Sequence, residues 1–119
     1  MAQNTDLRTV IIFTQDMQKL SAFYAEGLDI GPYQESPSHL GCNVGSIYFG
    51  FDQVDDVQAS GGGITVWFTV NDLEAAFAKL VELGAKVRYP PTQKPWGGRL
   101  AALYDLDGNM IGLSQRPEE

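Results

Sequence analysis

Thr9-Val10-Ile11-Ile12-Phe13-Thr14-Gln15-Asp16 runs into Met17-Gln18-Lys19-Leu20-Ser21-Ala22-Phe23-Tyr24, and fifty-six residues later Thr65-Val66-Trp67-Phe68-Thr69-Val70-Asn71-Asp72 runs into Leu73-Glu74-Ala75-Ala76-Phe77-Ala78-Lys79-Leu80. At that offset Thr9/Thr65, Val10/Val66, Asp16/Asp72, Ala22/Ala78 and Glu26/Glu82 are identical. The identities coincide with one repeated pattern: a β-branched and aromatic run that reads as a buried strand, an Asp suited to cap a helix, then apolar residues at helical spacing. Two copies of one unit predict a pseudo-symmetric fold with a ligand pocket where the copies meet.

In the first copy, Met17, Leu20, Tyr24 and Leu28 form the apolar stripe of a helix stopped by Gly27 or by Gly31 with Pro32. Short strands are expected near 31–36, 40–44 and 46–52. Asp55–Gly63, which ends in three glycines, reads as a linker. In the second copy Leu73, Ala76, Phe77, Leu80 and Leu83 share a helix face, with Glu74 in the first turn and Gly84 as the terminating glycine. Strands are expected near 86–89, 98–104 and 110–115. Pro90, Pro91 and Pro95 predict an irregular loop before Trp96, and Asp105-Leu106-Asp107-Gly108-Asn109 predicts a hairpin turn. The fold expected is α+β: two tandem βαβββ modules, about 8–54 and 64–115 with the linker at 55–63, forming curved mixed sheets around a concave cavity within a single domain, 1–119.

Composition narrows the function. The 119 residues suffice for one domain with its own core. Eight Lys and Arg against 15 Asp and Glu give a net charge of −7, and no basic run is present to meet a phosphate backbone, so nucleic acid is not an expected partner. An acidic field favours cationic ligands. No apolar stretch is long enough for a membrane span, and the first residues lack a basic start followed by an apolar core, so a cytoplasmic protein is expected. Cys42 stands alone, which excludes an internal disulfide and a cysteine-based zinc site; it reads as a half-buried strand thiol, with pairing to His39, the single histidine, as the alternative.

The arrangement resembles the vicinal oxygen chelate superfamily, which includes glyoxalase I, extradiol dioxygenases, fosfomycin-modifying enzymes and bleomycin-resistance binding proteins. The resemblance runs from about residue 8 to 115. It is carried by the two strand–Asp–helix starts at Asp16 and Asp72, by Phe23-Tyr24, and by Pro95-Trp96-Gly97-Gly98-Arg99 followed by Asp105-Leu106-Asp107-Gly108-Asn109. Leu106 stands where the family pattern has proline. The superfamily's metalloenzymes hold a divalent ion with His, Glu or Gln at equivalent places in both halves, and the resemblance places those positions at Thr9, Gly50, Thr65 and Gly112. Hydroxyls and glycines lack the charge and donor strength a Mg, Mn or Zn ion needs. Neither a metal nor any other cofactor is therefore expected.

If Thr9 and Thr65 face the cavity, strand alternation brings Ile11, Phe13, Trp67 and Thr69 to the same side, with Tyr48 and Asp52 beside Gly50 and with Met110 and Ser114 beside Gly112. Phe13, Tyr48, Asp52, Trp67, Trp96 and Arg99 are the expected ligand-binding residues, Trp96 closing over one end and Arg99 offering a cation. The same aromatics would equally serve as core or as the seam with a second chain. The function expected is metal-free binding of an aromatic or cationic organic molecule by a homodimer, without catalytic residues. The alternatives are a metalloenzyme with a displaced site, a metal-free lyase or isomerase using Asp52, His39 or Arg99, and a dimeric interaction module with a vestigial pocket.

Overall fold

A computed structural model describes residues 4–57 and 63–117. The chain forms ten elements: β1 (Thr9–Thr14), α1 (Met17–Leu28), β2 (Gln34–Ser36), β3 (His39–Val44), β4 (Ile47–Gln53), β5 (Thr65–Val70), α2 (Leu73–Glu82), β6 (Lys86–Gln93), β7 (Arg99–Tyr104) and β8 (Met110–Gln115). They divide between two compact units, β1–β4 with α1 up to Ala25 in one and β5–β8 with α2 in the other. Residues 58–62, most of the expected linker, lie outside the described residues.

Each unit is a four-stranded mixed sheet with the same connectivity, ordered β1-β4-β3-β2 and β5-β8-β7-β6. The first and last strands of each unit run parallel, as a crossover through a helix requires, and the remaining pairs are antiparallel. This is the α+β, doubled βαβββ architecture expected.

The helix starts are built alike. Asp16 Oδ1 accepts from the Lys19 N–H and Asp72 Oδ1 from the Ala75 N–H, both at 3.1 Å. A glutamine at the end of the last strand adds a second tie. Gln53 Oε1 accepts from the Met17 N–H and Gln115 Oε1 from the Leu73 N–H, both at 2.8 Å. Their Nε2 groups donate to the carbonyls of Gln15 and Asn71. Strand end and helix start are thereby fastened together in each unit, satisfying helix amides that have no partner within the helix.

The first unit buries Met17, Leu20, Phe23 and Tyr24 with Leu40, Cys42, Phe49 and Phe51. The Tyr24 ring centroid lies 5.2 Å from that of Phe49 and 5.4 Å from that of Phe51. In the second unit Phe68, Leu73, Leu80, Leu103, Ile111 and Leu113 are buried. Odd-numbered residues of β4 and β8 thus face the helix, and their even-numbered neighbours lie on the opposite face.

Two local expectations are corrected. Helix α1 ends on Asp29 in the left-handed conformation (φ 55°), with Gly27 inside the helix; a short Asp side chain tolerates this conformation better than most residues do. Pro90 and Pro91 do not break β6, which continues to Gln93 with register shifts between Val87 and Tyr89 and between Tyr89 and Thr92. As the edge strand of its sheet, β6 tolerates prolines because one side has no ladder to complete. Helix α2 ends as expected: Gly84 takes φ 111°, its N–H donates to Val81 O, and the Ala85 N–H donates to Leu80 O.

Candidate functional site

The second unit carries an open depression of about 390 Å³ lined by Trp67, Thr69, Trp96, Leu100 and Ser114. Register explains the grouping. Trp67 pairs with Gly112 and Thr69 with Ser114 across β5–β8, while Leu100 pairs with Ser114 across β7–β8, so these residues share the face turned away from α2. Trp67 is 47% and Trp96 71% exposed, so both present ring surface to solvent. Two glycines seat these rings. A methyl group on Gly112 would stand 2.2 Å from Trp67 Cδ2, and one on Gly98 would stand 2.3 Å from Trp96 Cζ3. Trp96 sits at the tip of the β6–β7 hairpin, closed by Lys94 N–H to Gly98 O and Gly97 N–H to Lys94 O, with Gly97 at φ 104°.

Arg99 does not join this group. It precedes Leu100 on β7 and so points to the helix side, where its guanidinium is paired with Glu74 in the first turn of α2. The depression therefore offers ring surface, two hydroxyls and a leucine, without a cation of its own from Arg99.

In the first unit, Phe13, Tyr48 and Asp52 lie on the face turned away from α1. Phe13 is the register partner of Asp52 and is 55% exposed. His39, which the sequence offers as a partner for Cys42 or as an alternative catalytic residue with Asp52, lies here as well, and what the sequence does not show is its contact with both Asp52 and Tyr48. His39 pairs with Asp52 across β3–β4, its Nδ1 lies 2.5 Å from Asp52 Oδ1, and its Nε2 lies 2.6 Å from Tyr48 Oη. His39 thus binds two of the predicted site residues at once and does not contact a cysteine; Cys42 is buried with the helix-side core. The signal was present in the two-residue turn Gly45-Ser46, flanked by the pair Val44 and Ile47. Gly45 at φ 60° suits the first position of the tight turns that fix hairpin register, and that register sets His39 opposite Asp52.

The metal positions implied by the resemblance do not fit a divalent cation. Thr9 is exposed and opposes Tyr48, Gly50 has the His39 ring against it, Thr65 Oγ donates to Met110 Sδ, and Gly112 lies under Trp67. Among the described residues, no three His, Cys, Asp or Glu side chains are grouped to hold an ion.

Solved structures share this fold. A glyoxalase-related enzyme from Fulvimarina pelagi superposes with a TM-score of 0.83 at 18% identity, covering 94% of this chain and 88% of the other. A glyoxalase/bleomycin resistance protein/dioxygenase family enzyme from Burkholderia phytofirmans PsJN gives 0.78 at 24% identity, covering 93% and 98%. A glyoxalase/bleomycin resistance protein from Albidiferax ferrireducens T118 gives 0.77 at 25% identity, again covering 93% and 98%. No curated protein is significantly similar in sequence. The family model of the glyoxalase/bleomycin resistance protein/dioxygenase superfamily matches residues 7–113, and with the doubled βαβββ fold in place the chain belongs to that superfamily.

Proposed function

We propose that this protein binds a small organic molecule, aromatic and cationic, without the help of a metal. The observation that carries the reading is the pair of exposed tryptophans, Trp67 and Trp96, bordering one open depression with only Thr69 and Ser114 as polar neighbours. Such a surface recognises shape and π-electron density more than hydrogen-bonding pattern, and an indole face attracts cations. The net charge of −7 works in the same direction. The residues at the superfamily's metal positions support a reading in which no ion takes part.

The test is a fluorescence titration of the full chain with proflavine, a planar cationic dye, against fluorescein as an anionic dye of similar extent. Saturable quenching or shift of tryptophan emission by the cation, with a matching rise in melting temperature, is the expected outcome. Equal responses to both dyes would remove the charge preference, and no response to either would remove the binding reading.

The same proposal includes a homodimer. Its support is apolar surface exposed outside the tryptophan depression, at Leu7, Ile64 and Val87, which association would cover. Light scattering is expected to return twice the 13.0 kDa chain mass; a monomer mass across a wide concentration range would contradict it.

A further inference from the structure

The first unit carries a hydrogen-bonded chain of three side chains that ligand binding at the tryptophans leaves unused. Asp52 Oδ1, His39 Nδ1, His39 Nε2 and Tyr48 Oη follow one another at 2.5 and 2.6 Å, and the His39 and Tyr48 rings stack with 16° between their planes. The direction of the hydrogen bonds follows from donor chemistry. A carboxylate only accepts, so His39 Nδ1–H donates to Asp52; Nε2 then accepts, and the Tyr48 hydroxyl donates to it. Both lone pairs of Tyr48 Oη remain available to a bound molecule.

The His39 and Asp52 side chains are half-buried, 30% and 36% exposed, so water still reaches the pair and weakens its contribution to folding. The backbone beneath them is nonetheless shaped to hold the rings. Gly41 and Gly50 face each other across β3–β4. A methyl group on Gly41 would stand 2.2 Å from Tyr48 Oη, and one on Gly50 would stand 2.9 Å from His39 Cε1. Tyr48, whose register partner is Asn43, leans across the bare Gly41 to reach His39. Beside the relay on the same face are the exposed ring of Phe13, partner of Asp52, and Ile11, partner of Gly50.

We propose that Asp52, His39 and Tyr48 form a general-base relay ending at Tyr48 Oη, acting on an aromatic carbon or oxygen acid that rests on Phe13 and Ile11. Tyr48 Oη takes the proton of the substrate C–H or O–H while its own hydroxyl hydrogen passes to His39 Nε2. The substrate keeps the electron pair as a carbanion or oxyanion. The imidazolium formed is held against the Asp52 carboxylate. Nothing is oxidised or reduced, and the reverse transfers restore the starting state. Tyr48 is the catalytic residue, His39 its proton acceptor, and Asp52 a positioning residue that sets the His39 tautomer.

Two measurements test this. Because His39 is the only histidine, ¹⁵N-histidine labelling of the unaltered chain gives one pair of ring-nitrogen signals. Nδ1 is expected to carry the hydrogen, and Asp52→Asn is expected to reverse the tautomer. A wild-type ring protonated at Nε2 alone overturns the relay.

The second measurement uses nitrobenzisoxazole, an aromatic carbon acid with a coloured product. Its C–H proton goes to the base, the C–H electron pair completes the nitrile, and the N–O bond breaks to leave a phenolate. Tyr48→Phe and His39→Gln are expected to lower the rate about 100-fold, the lower end of general-base contributions, and Asp52→Asn to lower it together with the tautomer change. Gly41→Ala keeps all three relay side chains but pushes the Tyr48 hydroxyl aside, and is expected to slow the reaction in a chain that still melts cooperatively. A wild-type rate no greater than that of Tyr48→Phe, or a faster Tyr48→Phe variant in which His39 acts directly, overturns the proposal.

Discussion

The indole of Trp67 lies over Gly112, its register partner on β8, with the ring-fusion atoms where a side chain at 112 would begin. The absence of a side chain at Gly112 therefore does not leave a void, because the neighbouring ring occupies it. Glycine on the sheet face gives the large ring a bed, which fixes Trp67 while leaving 47% of it exposed.

Gly112→Ala tests that bed. The new methyl would meet Trp67 Cδ2 and Cε3 at 2.2 Å, in the body of the ring rather than at a flexible end, so the indole must leave its seat. The expected cost is about 1–3 kcal/mol, as for other overpacked sites, together with a shift in tryptophan emission. Urea denaturation followed by fluorescence reads both; unchanged stability and an unchanged spectrum would mean that the ring does not rest on Gly112.

The paired glutamines make a second prediction. Gln53 and Gln115 each fasten the last strand of a unit to the start of its helix through two side-chain hydrogen bonds to backbone. Gln53→Ala and Gln115→Ala should each destabilise by about 1–3 kcal/mol, since a helix-start amide loses its partner. Similar losses in both halves are expected from urea midpoints. A loss below about 0.5 kcal/mol in either variant would show that water replaces the side chain freely.

These glutamines also show what the sequence concealed. The strand–Asp–helix starts repeat at an offset of 56, from Asp16 to Asp72, whereas Gln53 and Gln115, like Gly50 and Gly112, stand 62 apart. The second unit is longer between its helix and last strand, so a fixed-offset comparison finds the start of each repeat and misses its end. The shared face of Trp67, Thr69 and Ser114 was legible because strand alternation needs only parity. The joining of His39 to both Asp52 and Tyr48 was not, because it depends on the register of the Gly45-Ser46 hairpin and on Tyr48 leaning across Gly41. Arg99 was assigned to the wrong face for a related reason: its loop motif was read without the parity of β7, which sends Leu100 to the depression and Arg99 to Glu74.

Alkaline solution should weaken the first unit. Burial pushes the Cys42 thiol above its ordinary range, against a smaller lowering effect of a backbone hydrogen bond from Gly31. Tyr33, whose hydroxyl donates to Ser21 O at 2.8 Å, is raised by burial and further by the nearby Cys42. Both groups are acids that the folded state holds neutral. Their contribution is complete below the unfolded values of about 8.5 and 10, and it is lost as the pH rises beyond them toward the folded values. Urea stability is expected to fall between pH 8.5 and 11, less steeply in Cys42→Ala once corrected for the lost packing. A flat profile across that interval would contradict the assignment.

The tryptophans can be told apart by truncation. If a proflavine-like cation stacks on Trp67, Trp67→Ala should weaken its binding by about 1–3 kcal/mol, roughly 5- to 150-fold, through lost cation–π and stacking contact. The variant should still fold, because a side chain this exposed contributes less to the core than the fully buried Leu113 or Ile111. Trp96→Ala should weaken binding less: at 71% exposure on a hairpin tip it leaves more of its surface in water. Salt separates local stacking from the long-range field. Raising ionic strength beyond the physiological range shortens the screening length below roughly 8 Å. This should reduce cation affinity in wild type and in Trp67→Ala by a similar factor, since the −7 charge is the same in both. Calorimetric titration at two salt concentrations gives all four affinities. A Trp67→Ala variant that binds the cation as tightly as wild type would place the ligand elsewhere and remove the depression as its site.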